Sequence, residues 1–276
     1  MFGFGTGFVL TQFGLRWMQP WLGVAISIPS STLLFWCLAP FFVNLSAADL
    51  RAVVLFAGIG LFFPGAAALL NFESNRLMGP NIAGALSSMT PVLATVVAIV
   101  ILGERVSGPR LLGLTAIVVG IGLMYRVHVN LSGRSFLLMT QPLAAAAIRG
   151  IVQPIVKMGL EWWPSPIAAV VVGYTVSSMV LIASALARSS GTVPAIDRRG
   201  ALWFAAVGLC NGLAVLAMYG ALASAPVIVV SPLISGYPLV TLLLSRIFLM
   251  KKDVGPQLIA GVTSAVCGVT LLLAWS

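Results

Sequence analysis

Apolar runs of about twenty residues alternate along this chain with short interruptions that are polar or contain proline and glycine. Most runs are apolar on every face, and a segment surrounded by lipid must satisfy its own backbone hydrogen bonds, as a helix does. A bilayer span needs roughly 20 apolar residues, so the pattern predicts an all-α integral membrane protein with ten transmembrane helices. The predicted helices cover residues 2–15, 21–43, 52–74, 81–102, 109–125, 135–156, 166–187, 201–223, 227–249 and 255–275.

The first run, residues 2–15, is shorter than the others. At 1.5 Å per residue its helix would reach about 21 Å, whereas the hydrocarbon core is ~30 Å thick. Two explanations stay open: the chain starts late within a longer protein, or this helix is a partial span. We favour the late start and expect further apolar sequence upstream of Met1.

Composition excludes an ordinary water-soluble protein. Of the 276 residues, 60% are hydrophobic and 8% are charged, against roughly 25% charged in soluble domains. The net charge of +9 does not indicate nucleic-acid binding, because the cations are scattered singly between apolar runs. Cys37, Cys210 and Cys267 lie in apolar runs without metal-binding spacing, so we interpret them as small buried hydrophobic residues.

An internal repeat relates the two halves of the chain. At an offset of 147 residues, the Gly-Pro pair at 108–109 coincides with the pair at 255–256, together with a set of small and apolar residues. This match predicts two five-helix repeats, residues 1–126 and residues 135–276. Because five is odd, the second repeat enters the membrane from the opposite side. In such inverted repeats the substrate site usually lies near the midplane, where the two copies meet.

A proline lies near the middle of the fourth helix of each repeat, Pro91 in the first and Pro238 in the second. Proline removes a backbone donor and kinks a helix. The matched pair indicates a gating element shared by the repeats, and a simple packing bend is the alternative.

The sequence around the first of these prolines resembles a known family. Residues 83–91 read AGALSSMTP, residues 102–107 read LGERVS, and Gly113 opens the next predicted helix. This pattern is similar to that of the EamA-type ten-helix transporters of the drug/metabolite transporter superfamily. The second repeat keeps SGYP at residues 235–238 and has KKD at 251–253 in place of the acidic turn. The resemblance implies a transporter and leaves its substrate open, since the family moves amino acids, nucleosides, sugars and other small metabolites outward or inward.

Arg149 lies near the centre of the predicted sixth helix, where a charged residue is costly and usually faces a cavity or a partner. Gln153 and Lys157 follow at steps of four and therefore share its helix face. We interpret this face as an acceptor for an anion, which the guanidinium would bind through two hydrogen bonds. The alternative is that Arg149 snorkels or bonds a backbone carbonyl while Lys157 marks the helix end.

Other polar residues in the predicted helices are candidates to line the same path. Small hydroxyl residues at helix interfaces more often serve as packing contacts, so the serines are the weaker candidates. The predicted substrate-binding residues are Arg149, Gln153, Asn71, Asn211, Tyr219, Ser88, Ser235 and Tyr237, and the predicted gating residues are Pro91 and Pro238.

No acidic residue lies at the predicted membrane midplane. All six carboxylates lie near helix ends or in loops, so proton exchange through a central carboxylate is not expected. Glu104 and Arg105 follow the fourth helix, where they form either a gate latch or a pair that fixes the turn, and we favour the turn. The sequence shows no paired carboxylates, His/Cys cluster, phosphate-binding loop or Ser/His/Asp set. We therefore expect that the protein is not an enzyme and holds no cofactor.

The predicted function is secondary transport of a small anionic or zwitterionic, amino-acid-like metabolite by alternating access, with export favoured. A lipid flippase or scramblase is the alternative, and an intramembrane enzyme is less favoured. The expected partners are a small-molecule substrate and membrane lipid, without nucleic acid, and the chain is expected to be a monomer or homodimer. We expect a multi-pass protein of the plasma (inner) membrane if the source is bacterial. Orientation stays open, because the Lys and Arg distribution favours both termini outside, whereas the resemblance implies cytoplasmic termini.

Overall fold

The structure is a computed structural model, and it describes residues 1–87, 89–104, 133–188 and 196–249, with isolated helical positions between 108 and 120 and between 260 and 271. Within these residues the chain forms helices and turns and no strand, which confirms the all-α prediction. The predicted helices 109–125 and 255–275 lie largely outside the described residues.

Eleven α-helices follow one another in the continuous described segments, and most match a predicted apolar run. They are α1 (Phe2–Gly14), α2 (Pro20–Phe42), α3 (Leu50–Gly60), α4 (Gly65–Met78), α5 (Pro80–Ser87), α6 (Thr90–Leu102), α7 (Gly133–Trp162), α8 (Pro166–Arg188), α9 (Arg198–Ser224), α10 (Val227–Ile234) and α11 (Tyr237–Phe248).

Six segments of the described chain are long and apolar enough to cross a membrane. They are Pro20–Phe42, Leu50–Met78, Met139–Trp162, Pro166–Ala187, Arg198–Ser224 and Val227–Phe248. Together with the composition, they make this an integral, multi-pass membrane protein. The first helix has 13 residues, as short as the sequence predicts. The described residues do not establish the predicted total of ten spans.

The fourth helix of each repeat is broken at the predicted proline. In the first repeat α5 ends at Ser87 and α6 begins at Thr90, so that Pro91 lies in the first turn of α6. In the second repeat α10 ends at Ile234 and α11 begins at Tyr237, which again places Pro238 in a first turn. Both breaks agree with the offset of 147, and they confirm the predicted kinks. Proline is favourable in a first turn because the N–H that it lacks has no partner there.

Two predicted helices differ from the structure. The third span, predicted as one helix, is divided into α3 and α4 at residues 61–64, where Pro64 interrupts the hydrogen-bond ladder. The sixth span continues beyond the predicted end at residue 156 to Trp162. Lys157 therefore lies within α7, and the interpretation that it marks a helix end is wrong.

The prediction that the three cysteines are buried is also wrong. Cys37 and Cys267 are exposed, and Cys210 is partly exposed. In a membrane protein the exposed helix faces meet lipid, where a small thiol is as compatible as in a protein core.

The helices of the two repeats pack against each other in matching pairs. The α1 helix packs on α9 and α11, and α7 makes the equivalent contacts with α4 and α6. The α2 and α8 helices pack on each other, where Thr32 Oγ1 bonds the Ser178 hydroxyl at 2.7 Å. Gly208 allows α9 to approach α2, because a Cβ there would overlap the carbonyl oxygen of Ser27. These pairings place residues of both repeats around one central space.

Candidate functional site

A central cavity lies between helices of both repeats. Its lining comes from α1, α2 and α4 of the first repeat, with residues 63–64 just before α4, and from α7, α8 and α9 of the second. The cavity volume is about 60 Å³, well below the roughly 300–1,000 Å³ of typical ligand pockets. In this structure the cavity is therefore too small to enclose a metabolite.

Arg149 provides the positive charge of the cavity lining. Its Nη2 donates a hydrogen bond to Asn71 Oδ1 at 3.1 Å, and the same oxygen accepts a bond from Ser87 Oγ at 2.8 Å. The Nε of Arg149 is buried and has no hydrogen-bond partner among the described residues. No Asp or Glu belongs to the lining, so the guanidinium faces neutral amide, hydroxyl and aromatic groups.

Close packing holds this part of α7 against α6. A Cβ on Gly150, the residue after Arg149, would lie 2.7 Å from Leu93 Cβ and 3.1 Å from the carbonyl oxygen of Thr90. Both contacts are tighter than ordinary van der Waals distance, so only glycine fits at this approach. The broken fourth span of the first repeat thus fixes the position of Arg149 along the cavity wall.

Amide side chains from both repeats share the cavity with Arg149. Asn71 comes from α4, and Asn211 comes from α9, where it packs against Gly7 of α1. Asn75, one turn after Asn71, also lines the cavity, and its Nδ2 donates to the Phe8 carbonyl oxygen at 2.7 Å. Sequence reasoning missed Asn75, although its spacing of four from Asn71 places it on the same helix face.

Aromatic rings form much of the remaining wall. Phe4, Phe8, Phe72 and Tyr174 line the cavity, and the Phe8 ring stacks on Tyr237 with 5.4 Å between ring centroids. Eleven of the 14 phenylalanines of this chain lie in the first three apolar runs, so no spacing in the sequence distinguishes these rings. The cavity therefore combines one cation, several amides and an apolar aromatic surface.

The structure brings three of the predicted substrate-binding residues together, namely Arg149, Asn71 and Asn211. Gln153, Tyr219, Ser235 and Tyr237 are buried but are not among the lining residues, and Ser235 Oγ bonds the Ser231 carbonyl of its own helix. Ser88 lies outside the described residues. Pro91 and Pro238 lie at the helix breaks, and their gating role stays a prediction.

A second cavity, of about 500 Å³, lies between α3 and α7. Its lining consists of apolar side chains and Gly58, and includes Val54, Phe62 and Ile151, which are exposed on the outer surface. A lipid scramblase requires a polar groove open to the side, and this groove is apolar. Among the described residues, no three His, Cys, Asp or Glu side chains come together as a metal site would require.

Comparisons with known proteins agree with this arrangement. One solved structure, titled "Crystal structure of protein", shares the fold with a TM-score of 0.75 and 16% sequence identity over 99% of this chain and 93% of that chain. No curated protein matches by sequence. The family model of the EamA-like transporters matches residues 1–126 and 136–274, which is nearly the whole chain in two segments, as the resemblance to the drug/metabolite transporter superfamily implies. The chain belongs to the EamA-like transporter family.

Proposed function

We propose that this membrane transporter moves a small anionic or zwitterionic, amino-acid-like metabolite across a membrane by alternating access, in the direction of export. The substrate binds in the central cavity, with its anionic group on Arg149. The proposed location is the plasma (inner) membrane if the source is bacterial.

One observation carries the choice of substrate class: Arg149 lies in the cavity without a carboxylate partner among the described residues. The three described ion pairs join Arg51 to Asp49, Arg76 to Glu73 and Lys157 to Glu104. A cation held within a membrane span is costly unless a counter-charge is nearby. An anionic substrate group supplies that counter-charge, and the planar guanidinium bonds a carboxylate through two parallel hydrogen bonds.

The cavity also supports transport by its position and size. It lies where the repeats meet, which is the usual substrate position in inverted-repeat transporters. Because the volume of about 60 Å³ is too small for a metabolite, the cavity must widen toward one side to load its substrate. The broken fourth and ninth spans and the interrupted third span are the segments that allow such a movement.

Comparative metabolite profiling tests this proposal. Cells that make the parent protein are compared with cells that make Arg149→Gln at equal amounts in the membrane. The matched control is Arg246→Gln, since Arg246 is an exposed arginine in the last turn of α11, away from the cavity.

The expected result is that one class of small anions or zwitterions is depleted inside cells with the parent and with Arg246→Gln, and is retained with Arg149→Gln. Equal depletion by all three proteins would overturn the assigned role of Arg149. If a cationic or uncharged metabolite moves instead, the proposed substrate class is wrong.

A further inference from the structure

Glu104 of the first repeat caps a helix of the second repeat. Its Oε1 accepts a hydrogen bond from the backbone N–H of Val227 at 2.9 Å, and its Oε2 accepts one from Ile228 at 3.1 Å. Both N–H groups belong to the first turn of α10, whose N-cap residue Pro226 makes no side-chain cap hydrogen bond. First-turn N–H groups lack partners within their helix and carry partial positive charge, so a carboxylate is favourable there.

The turn after α6 directs Glu104 to this position. Gly103 adopts the left-handed conformation with φ of 64°, which a residue with a side chain rarely adopts. The chain therefore leaves the α6 axis directly before Glu104, and the carboxylate reaches across the boundary between the repeats.

Lys157 of α7 joins the same contact. Its Nζ donates a hydrogen bond to the carbonyl oxygen of Ala225 at 2.7 Å and lies 3.9 Å from Glu104 Oε1. The Lys157 and Glu104 side chains are only 18% and 11% exposed. Since 3.9 Å is too long for a hydrogen bond, the backbone contacts provide the main attachment. The end of α6, the body of α7 and the start of α10 are thereby joined at one end of the molecule.

The two residues that match Glu104 and Val227 in the other repeat have different chemistry. At the offset of 147, Lys251 takes the place of Glu104 and Pro80 takes the place of Val227. A lysine side chain has no acceptor atom, and proline has no N–H. Lys251 lies outside the described residues, but its chemistry and that of Pro80 preclude the bond that Glu104 makes.

Buried polar atoms without partners lie on the three helices that this contact joins. Thr95 Oγ1 on α6, Gln153 Oε1 on α7 and Ser231 Oγ on α10 are buried without a hydrogen-bond partner in the described part of the chain. A buried polar atom that never reaches water is unfavourable. These atoms gain hydrogen bonds if water enters between the three helices when the contact opens.

We propose that Glu104 is a latch that closes the transport path at its own end of the molecule. Lys157, Gln153 and Arg149 follow at steps of four on one face of α7, and this face leads from the latch to the central cavity. This inference rests on the proposed alternating access, and it adds which residue holds one end of the path closed.

Thiol accessibility tests the latch without knowledge of the substrate. The three native cysteines are first replaced by alanine in the full chain. One reporter is Ser231→Cys, directly behind the latch, and a second is Ser74→Cys, near the opposite end of the molecule, both at fully buried positions. Each reporter is combined with Glu104→Gln, which keeps the size of the side chain, and the reaction with a membrane-impermeant maleimide is timed in lipid vesicles.

The latch predicts that Glu104→Gln accelerates modification at position 231 by about tenfold, the effect of losing a charged partner for backbone N–H groups. At position 74 the rate should stay the same or fall, because opening one end closes the other. The matched control, Glu73→Gln, changes an acid that pairs with the exposed Arg76, and it should alter neither rate. Unchanged reactivity at position 231 would overturn the latch, and so would equal acceleration at both positions, which indicates general loosening.

A second variant tests the latch in case Glu104→Gln does not fold. Lys157→Gln removes the bond to Ala225 and should accelerate modification at position 231 in the same direction, by about threefold for one hydrogen bond. An unchanged rate in this variant also counts against the latch. These modification rates do not depend on the substrate. If the rates shift but no metabolite is transported, the proposed function fails and the latch stands. If a metabolite is transported but the rates do not shift, only the latch is rejected.

Discussion

Arg149 and Asn71 meet at the boundary between the two repeats, where Arg149 Nη2 donates to Asn71 Oδ1 at 3.1 Å. The acceptor is a neutral amide, so the pair orients the guanidinium and leaves its charge uncompensated. Ser87 Oγ donates to the same oxygen at 2.8 Å, which fixes Asn71 in turn. The arrangement holds the guanidinium in a defined orientation on neutral partners.

Replacing Asn71 by aspartate should block anion transport. A carboxylate in place of the amide lies beside the guanidinium, forms an ion pair and takes the place of the substrate's anionic group. We expect Asn71→Asp to lower kcat/KM for the anionic substrate by at least about tenfold, as measured by initial rates in vesicles. Asn44→Asp adds the same charge at an exposed position and should have no effect. Normal transport by Asn71→Asp would show that substrate does not compete for Arg149.

Gly208 should tolerate no side chain. Because a Cβ would overlap the Ser27 carbonyl oxygen, Gly208→Ala must separate α9 from α2, and we expect a loss of about 1–3 kcal/mol in stability. Gly220 is in the same helix, and a Cβ added there would meet no atom within 4 Å, so Gly220→Ala should leave the unfolding temperature unchanged or slightly higher. Thermal unfolding in detergent distinguishes the two variants, and equal melting temperatures would contradict the packing described.

The start of α9 depends on a side-chain cap. Asp197 Oδ1 accepts hydrogen bonds from the backbone N–H of Arg199 at 2.8 Å and of Gly200 at 3.0 Å. Asp197→Ala leaves these groups without the cap and should lower stability by about 1 kcal/mol. Asp197→Asn retains the acceptor oxygen and should unfold close to the parent temperature. A loss of the same size in both variants would assign the effect to charge rather than to capping.

The prolines at the broken spans should matter for transport more than for folding. Pro91→Ala restores a backbone N–H and allows α5 and α6 to join into one straighter helix. We expect normal amounts in the membrane and a transport rate lowered by about tenfold, since a continuous helix opposes the change between open states. Pro40→Ala, at an exposed proline inside α2, is the control and should transport normally. A Pro91→Ala variant as active as the control would assign the break to packing alone.

Much of the helical architecture follows from the sequence, because a backbone in lipid must form its hydrogen bonds within its own segment. Continuous apolar runs must form helices, so most helix positions and the breaks before Pro91 and Pro238 could be predicted. The break at residues 61–64 was not predicted, because Pro64 has no matching proline in the second repeat, where Asn211 takes its place at the offset of 147. The end of α7 was missed because Lys157 looks like a polar helix end in the sequence, whereas its Nζ bonds the Ala225 carbonyl oxygen within the protein.

The site could be predicted only where polarity stands out. Arg149, Asn71 and Asn211 are polar residues in apolar runs, and the structure brings them to one cavity. The role of Glu104 depends on a contact with a helix 123 residues later in the chain, and its interpretation as a member of a local turn pair was based on spacing alone. The bonds to Val227 and Ile228 favour the alternative interpretation of a latch.

Binding of an anion by Arg149 is tested most directly by transport of a substrate and of its neutral analogue. The metabolite identified by profiling and its carboxamide are supplied separately to vesicles that contain the parent or Arg149→Gln. We predict that the parent prefers the anion by at least about tenfold, and that Arg149→Gln transports both compounds at rates within about twofold, because the charge-assisted hydrogen bonds are lost. An Arg149→Gln variant that keeps the full preference of the parent for the anion would contradict the assignment of Arg149 as the substrate-binding cation.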